Sequence, residues 1–154
     1  MHEREGVIKF REQHNAQPAL PEELIRSLNI WRHLLYQNML IGQDPQRYDG
    51  AAYGNVSQRL FPYTLPRKKR KFVITGTQTG GLARLTNQHY TTVVHCDSDL
   101  NEILTEGPVH ASSESLTHGM VYDADSSIRY VFHTHTPLIW NAAATLAIPV
   151  TNEN

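Results

Sequence analysis

Residues 128–135 close on His133-Thr134-His135, and no other stretch of the chain limits its fold so tightly. Residues i and i+2 of a strand point to the same face, so both imidazoles leave the backbone together. Ile128, Val131 and Phe132 make the strand read as buried. Two imidazoles side by side in a core are hard to satisfy without a shared partner. Imidazole nitrogens arranged this way can chelate one divalent ion at about 2.0–2.1 Å. The competing reading is a pair of hydrogen-bonded structural histidines.

Helical and β-rich stretches alternate around this strand, which predicts a layered α/β domain. Pro21-Glu22-Glu23 reads as a helix start, with proline in the first turn and acids near the positive dipole end. Leu24, Leu28, Trp31, Leu35 and Met39 follow at spacings of three and four, predicting one apolar face with Trp31 packed in the core. Gly42 is the expected C-cap. Residues 1–20 read as an irregular N-terminal arm and residues 21–154 as one domain. Residues 43–50 read as loop, residues 55–60 and 71–75 as strands, and a further strand includes residues 90–94. Residues 101–104 are a short strand or turn. Ser112 and Ser113 can cap a helix over residues 114–122, and another runs over residues 137–146 toward Ala147-Ile148-Pro149-Val150.

At 154 residues with 40% apolar content, the chain suits a single domain with a buried core. Lys and Arg number 14 against 15 Asp and Glu, so no global charge draws it to nucleic acid or to anionic membranes. The basic run at residues 66–71 reads as a solvated hairpin tip that protects a sheet edge, rather than as a phosphate-binding patch. Cys96 is the single cysteine, which excludes an internal disulfide and favours a reducing compartment. With no apolar leader and no apolar run near the roughly 20 residues of a membrane helix, the expectation is a soluble, cytoplasmic protein.

Two further elements carry chemistry. Glu114 stands at an apparent helix start, where the dipole favours the ionised carboxylate, and His118 lies on the same helical face. Helix-then-strand order could bring Glu114 to His133 and His135 as metal ligand or proton shuttle; the bland reading is an ordinary first-turn acid. Gly54-Asn55 precedes one strand and Thr77-Gln78-Thr79-Gly80 follows another. Backbone N–H groups, an amide and small hydroxyls suit an anion such as phosphate, and so does Ser112-Ser113 at a helix start. Turn-making alone would also explain these glycines.

Taken in order, Gly54-Asn55-Val56-Ser57, Ile74-Thr75 with its Gly/Thr loop, Ser112-Ser113-Glu114 with His118, and His133-Thr134-His135 resemble the class II aldolase/adducin family over residues 24–154. The resemblance implies a layered α/β/α domain with a central, mostly antiparallel sheet. It implies that His133 and His135 are two of three histidine ligands to a divalent metal, usually zinc, and that Glu114 is the acid/base. Asn55, Ser112, Ser113, Gly80 and Thr79 would hold the substrate phosphate. The implied reaction is retro-aldol cleavage of a small sugar phosphate, the metal stabilising an enediolate. A non-catalytic adducin-like assembly module, or an epimerase or dehydratase on the same scaffold, are the alternatives. A homo-oligomer, tetrameric by resemblance, is expected, with no nucleic-acid or membrane partner.

Two departures from the family pattern stand out. The loop from Thr75 to Gly80 is two residues longer than the family's usual one. No histidine follows His135, although the third metal ligand normally lies tens of residues beyond that strand. The expectation is therefore a piece of a longer protein, lacking the C-terminal part of the domain.

Overall fold

In a computed structural model that describes residues 9–149, the β-rich runs assemble into one six-stranded sheet. The strands are β1 (Arg11–Ala16), β4 (Asn55–Arg59), β5 (Phe72–Thr75), β6 (Tyr90–Asp97), β7 (Glu102–Gly107) and β8 (Tyr130–His133), with β2 (Gly42–Gln43) and β3 (Ala52–Tyr53) forming a separate small hairpin. The helices are α1 (Glu22–Gln37), α2 (Ser115–Ala124) and α3 (Pro137–Ala142). The sheet order is β1-β7-β6-β5-β4-β8, parallel between β1 and β7 and antiparallel elsewhere.

All four residues of β5 are buried, the signature of a strand covered on both faces. Phe72 and Ile74 join Val93, Cys96, Ile103 and Tyr122 in one cluster, while Val73, between them, joins Ile25, Leu28, Val56 and Tyr90 in another. Alternation along the strand thus assigns α2 to one face and α1 to the other. Gly119 lets α2 approach: a Cβ there would overlap the Cys96 Sγ. Gly119→Ala is expected to destabilise the fold by about 1–3 kcal/mol, as overpacking does. A shift in the urea midpoint reports it, and an unchanged midpoint would show that the helix can retreat.

Several expectations need correction. The inward face of α1 is Ile25, Leu28 and Arg32, whereas Leu24 and Trp31 are each 48% exposed and Met39 is 75% exposed. Leu28 faces inward as expected and Leu35 packs against the same cluster, but Ile25 and Arg32 take the places expected of Leu24 and Trp31, an arginine being invisible to an apolar count. Trp31 instead meets Phe132 on the surface, with ring centroids 5.8 Å apart. Asn38, not Gly42, is the C-cap of α1, and Met39 takes the left-handed turn at φ 59°.

Residues 11–16, expected to be irregular, form β1 and pair in parallel with β7. An edge strand reading Arg-Glu-Gln-His-Asn-Ala has no apolar alternation to betray it. Residues 1–8 of the expected arm, and the chain from Val150 to Asn154, lie outside the described residues. The strand bearing His133 is also an edge, pairing with β4 alone among the described residues, and Tyr130 and Phe132 are more than a third exposed. α3 ends at Ala142 rather than at residue 146, and α2 begins one residue after Glu114.

The basic run is not a free hairpin tip. Lys68 Nζ donates to Asp97 and Asp99 at 2.9 and 2.7 Å, and Arg70 donates to the Tyr122 carbonyl beside Asp123. No helix among the described residues is long and apolar enough to cross a membrane.

Candidate functional site

Antiparallel pairing of β4 with β8 sets Asn55 opposite His133, and their side chains meet at 3.2 Å between Asn55 Nδ2 and His133 Nδ1. Past the end of β8 the chain returns His135 to the same face, and the two Nε2 atoms stand 3.1 Å apart. His135 Nδ1 lies 2.8 Å from the Tyr48 hydroxyl. Tyr48, Asp49 and Gly50 are all left-handed, at φ 52°, 54° and 77°. Two consecutive non-glycine residues in that region cost about 1–3 kcal/mol each, strain of a kind that collects at ligand sites. Arg47 caps the group, its guanidinium 4.6 Å from the Tyr53 ring centroid and 5.1 Å from that of Tyr48.

This arrangement fits a divalent ion. Two imidazole nitrogens on one tetrahedral ion at 2.0–2.1 Å would be about 3.3 Å apart. Two lone pairs cannot face each other at 3.1 Å; a proton or a cation must lie between them. Burial, then the charges of His133 and Arg47, push His135 down to about 4, so at neutral pH it is the neutral base that metals bind.

Beside the histidines is a small polar pocket, and Asn55, Thr79, Gly80, Ser112 and Ser113 all line it. The structure thus brings together five residues drawn from three separate segments. Its wall is the turn after β5, held on one side by a bridge from Gly76 to Ala111 and by Thr77 N–H donating to the His110 carbonyl at 3.0 Å. On the other side Gly80 lies so close to β2 and β3 that a Cβ would come within 2.8 Å of the Gly42 carbonyl oxygen and 2.9 Å of that of Tyr53. Arg32 reaches up from α1 to donate to the carbonyls of Thr79 and Gly80, each at 3.0 Å, and of Ala83 at 3.3 Å. The Thr79 hydroxyl spends its proton on the Gly76 carbonyl at 2.8 Å, so toward an anion Thr79 has only its backbone N–H to offer.

Glu114 does not stand with the histidines here. Its Oε2 accepts from Thr117 Oγ1 at 3.1 Å, and Glu114, His133 and His135 do not form a group with ligand atoms within 4.8 Å of one another. Among the described residues the group that does is Glu12, His14 and His110, which fits a metal site. Burial raises the Glu12 carboxyl, but hydrogen bonds from Ala111, Thr105 and His110 outweigh it and hold the group below the usual carboxylate range. His118 is buried beneath the site, its Nδ1 2.6 Å from Ser57 Oγ, which is in turn 2.8 Å from the Tyr122 hydroxyl.

Sequence reasoning missed Arg32, Arg47 and Tyr48. Arg32 sits in a helix whose period counts only apolar residues, and the other two lie in a loop without periodicity. The signal available for Tyr48 was the Asp49-Gly50 pair after it, which marks a turn.

The family model described as the class II aldolase and adducin N-terminal domain matches residues 43–153. No curated protein and no solved structure gives a significant match.

Proposed function

The chain belongs to the class II aldolase and adducin family, and from that premise we propose that it carries metal- and phosphate-binding residues of a metal-dependent lyase acting on a small sugar phosphate. The observation that carries this reading is the convergence of His133 and His135 Nε2 at 3.1 Å, next to a pocket shared through Asn55. His133 and His135 would hold a divalent ion, zinc by the character of the nitrogen donors, which when bound supplies Lewis-acid polarisation of the substrate oxygens.

Asn55 links the two functions. As placed, its Oδ1 is buried without a partner. Half a turn of the amide lets Oδ1 accept from His133 Nδ1–H, which leaves Nε2 of His133 as a lone-pair donor and directs Nδ2 into the pocket. The phosphate is then met by the Asn55 amide, the Ser112 and Ser113 hydroxyls and the backbone N–H groups of the turn at Gly80. Glu114, which follows Ser113 directly, turns from Thr117 to exchange a proton with the substrate. The resemblance implies a homo-tetramer, and a third histidine ligand from the same domain beyond the H-x-H strand. Helices on opposite faces of the sheet support the layered α/β/α arrangement. The near-neutral charge supports a small-molecule substrate over nucleic acid or membrane. Cys96, a buried free thiol pushed up to about 12 by burial and by nearby Asp123 and Asp97, suits a reducing cytoplasm.

Protein purified without chelator is expected to lose one divalent ion per chain on His133→Ala/His135→Ala substitution. Glu114→Gln is expected to keep that ion and to lower cleavage of a ketose 1-phosphate about 10²–10⁴-fold. Full ion content in the double variant would remove the reading. That Glu114 bonds Thr117 and does not group with the histidines favours a second one, an adducin-like assembly module. A metal-loaded wild-type chain that neither cleaves, epimerises nor dehydrates any pentose or hexose phosphate, yet still self-associates, would select it.

A further inference from the structure

β1 and β8 are the two opposite edges of the sheet. On β1, Glu12 and His14 are i and i+2 and share a face, in register with Ile103 and Thr105 of β7. His110 arrives from the segment between β7 and α2. The rings of His14 and His110 lie 4.4 Å apart, tilted by 39°. One ligand atom from each of the three residues lies within 4.8 Å of the others.

The hydrogen bonds decide where the protons are. Ionised Glu12 can only accept, so the Thr105 hydroxyl gives its one proton to Glu12 Oε1 at 2.7 Å. Thr105 Oγ1 must then accept from His14 Nδ1–H at 2.8 Å. His110 Nδ1 lies 2.8 Å from Glu12 Oε2, and His14 Nδ1 lies 4.0 Å from Glu12 Oε1. The ligand atoms nearest one another are thus the two Nδ1 atoms and the carboxylate, and an ion between them takes the place of the Nδ1 protons, which leave to solvent on binding. Glu12 and His14 side chains, 6% and 13% exposed, form a pre-built floor, and the His110 side chain, 61% exposed, is the entrance. A carboxylate anchor alone would not need the second imidazole.

We propose that Glu12, His14 and His110 form a second divalent-cation site, of zinc-type nitrogen and oxygen character, on the far edge of the sheet from His133. The site is structural. Glu12 Oε1 also accepts from Ala111 N–H at 3.0 Å, directly before Ser112 and Ser113, and the His110 carbonyl holds Thr77. An ion there staples β1 to the rim of the polar pocket.

The test titrates zinc alone into the chelator-stripped full chain carrying His133→Ala/His135→Ala, so that failure of the catalytic reading and of this one are separable. Calorimetry is expected to show one ion bound per chain, with a rise in melting temperature. Adding His14→Gln/His110→Gln should abolish both. In the otherwise wild-type chain the same two Gln substitutions should lower bound zinc by one per chain, which covers the case of a His133→Ala/His135→Ala background that does not fold. No binding in the His133→Ala/His135→Ala chain, or binding that survives His14→Gln/His110→Gln, overturns the proposal.

Discussion

Acidification from pH 6 to pH 4 is expected to remove about 2–3 kcal/mol of stability through a single residue, His118. The side chain is fully enclosed at 1% exposure, its Nδ1 meets Ser57, and its Nε2 has no hydrogen-bond partner among the described residues. A proton there would sit in a dry interior, with the His133 ring adding repulsion. Burial first, and His133 second, push the group from 6.5 down to about 3. The unfolded chain therefore takes up this proton below about 6.5, while the folded chain refuses it until about 3. His118's contribution is fully present above the upper value and drains away as pH falls, by about 1.4 kcal/mol per unit.

Urea midpoints of wild type and His118→Leu across that range check the effect. Ser57 and Tyr122 keep their mutual hydrogen bond in the variant, so it retains a folded reference. Glu12, Asp97 and Asp125, all held below the usual carboxylate range, lose stability in the same direction as they protonate, but they are common to both chains. The difference between the two curves isolates the histidine. Parallel curves would sink the idea.

Arg32→Met should be the most damaging single substitution outside the apolar core, at about 3–5 kcal/mol, a scale set by leaving buried acceptors without their charged donor. Three carbonyls, those of Thr79, Gly80 and Ala83, lose their donor at once, and the Tyr36 ring loses the cation 4.9 Å from its centroid. Methionine fills much of the volume and satisfies none of the oxygens. Arg32→Lys should recover little, because one ammonium cannot reproduce a planar fork that reaches three carbonyls. The turn over residues 76–80 would lose its anchor, so affinity for inorganic phosphate should fall along with stability. Denaturant melts and phosphate titration of both variants decide it: midpoints within about 0.5 kcal/mol of wild type would show that the turn holds itself.

The two residues predicted to matter most for stability were not singled out as such from the sequence, whereas most of the candidate site was. Asn55, Thr79, Gly80, Ser112, Ser113, His133 and His135 could be named because each sits in a short pattern (H-x-H on a strand, a Gly-rich turn after one, a serine pair before a helix), and the family resemblance that those patterns carry implied their roles. Such patterns depend on neighbours a few residues apart, and the backbone turns that spacing directly into a shared face. The strands β4, β5, β6 and β8 were legible for the same reason.

Arg32 was hidden because it reaches loop carbonyls 47–51 residues away. The cluster of Glu12, His14 and His110 was hidden because its partners are up to 98 residues apart and two of the three lie on a polar edge strand. The orientation of Glu114 toward Thr117, and the exposure of Phe132, likewise depend on what packs nearby rather than on what is adjacent in the chain. Local spacing determined most of the elements and which residue types stand together along them. Which distant side chains share a donor, a proton or a cation was decided only when the sheet closed, because hydrogen bonds and charge act over a few ångströms of space, whatever the separation in sequence.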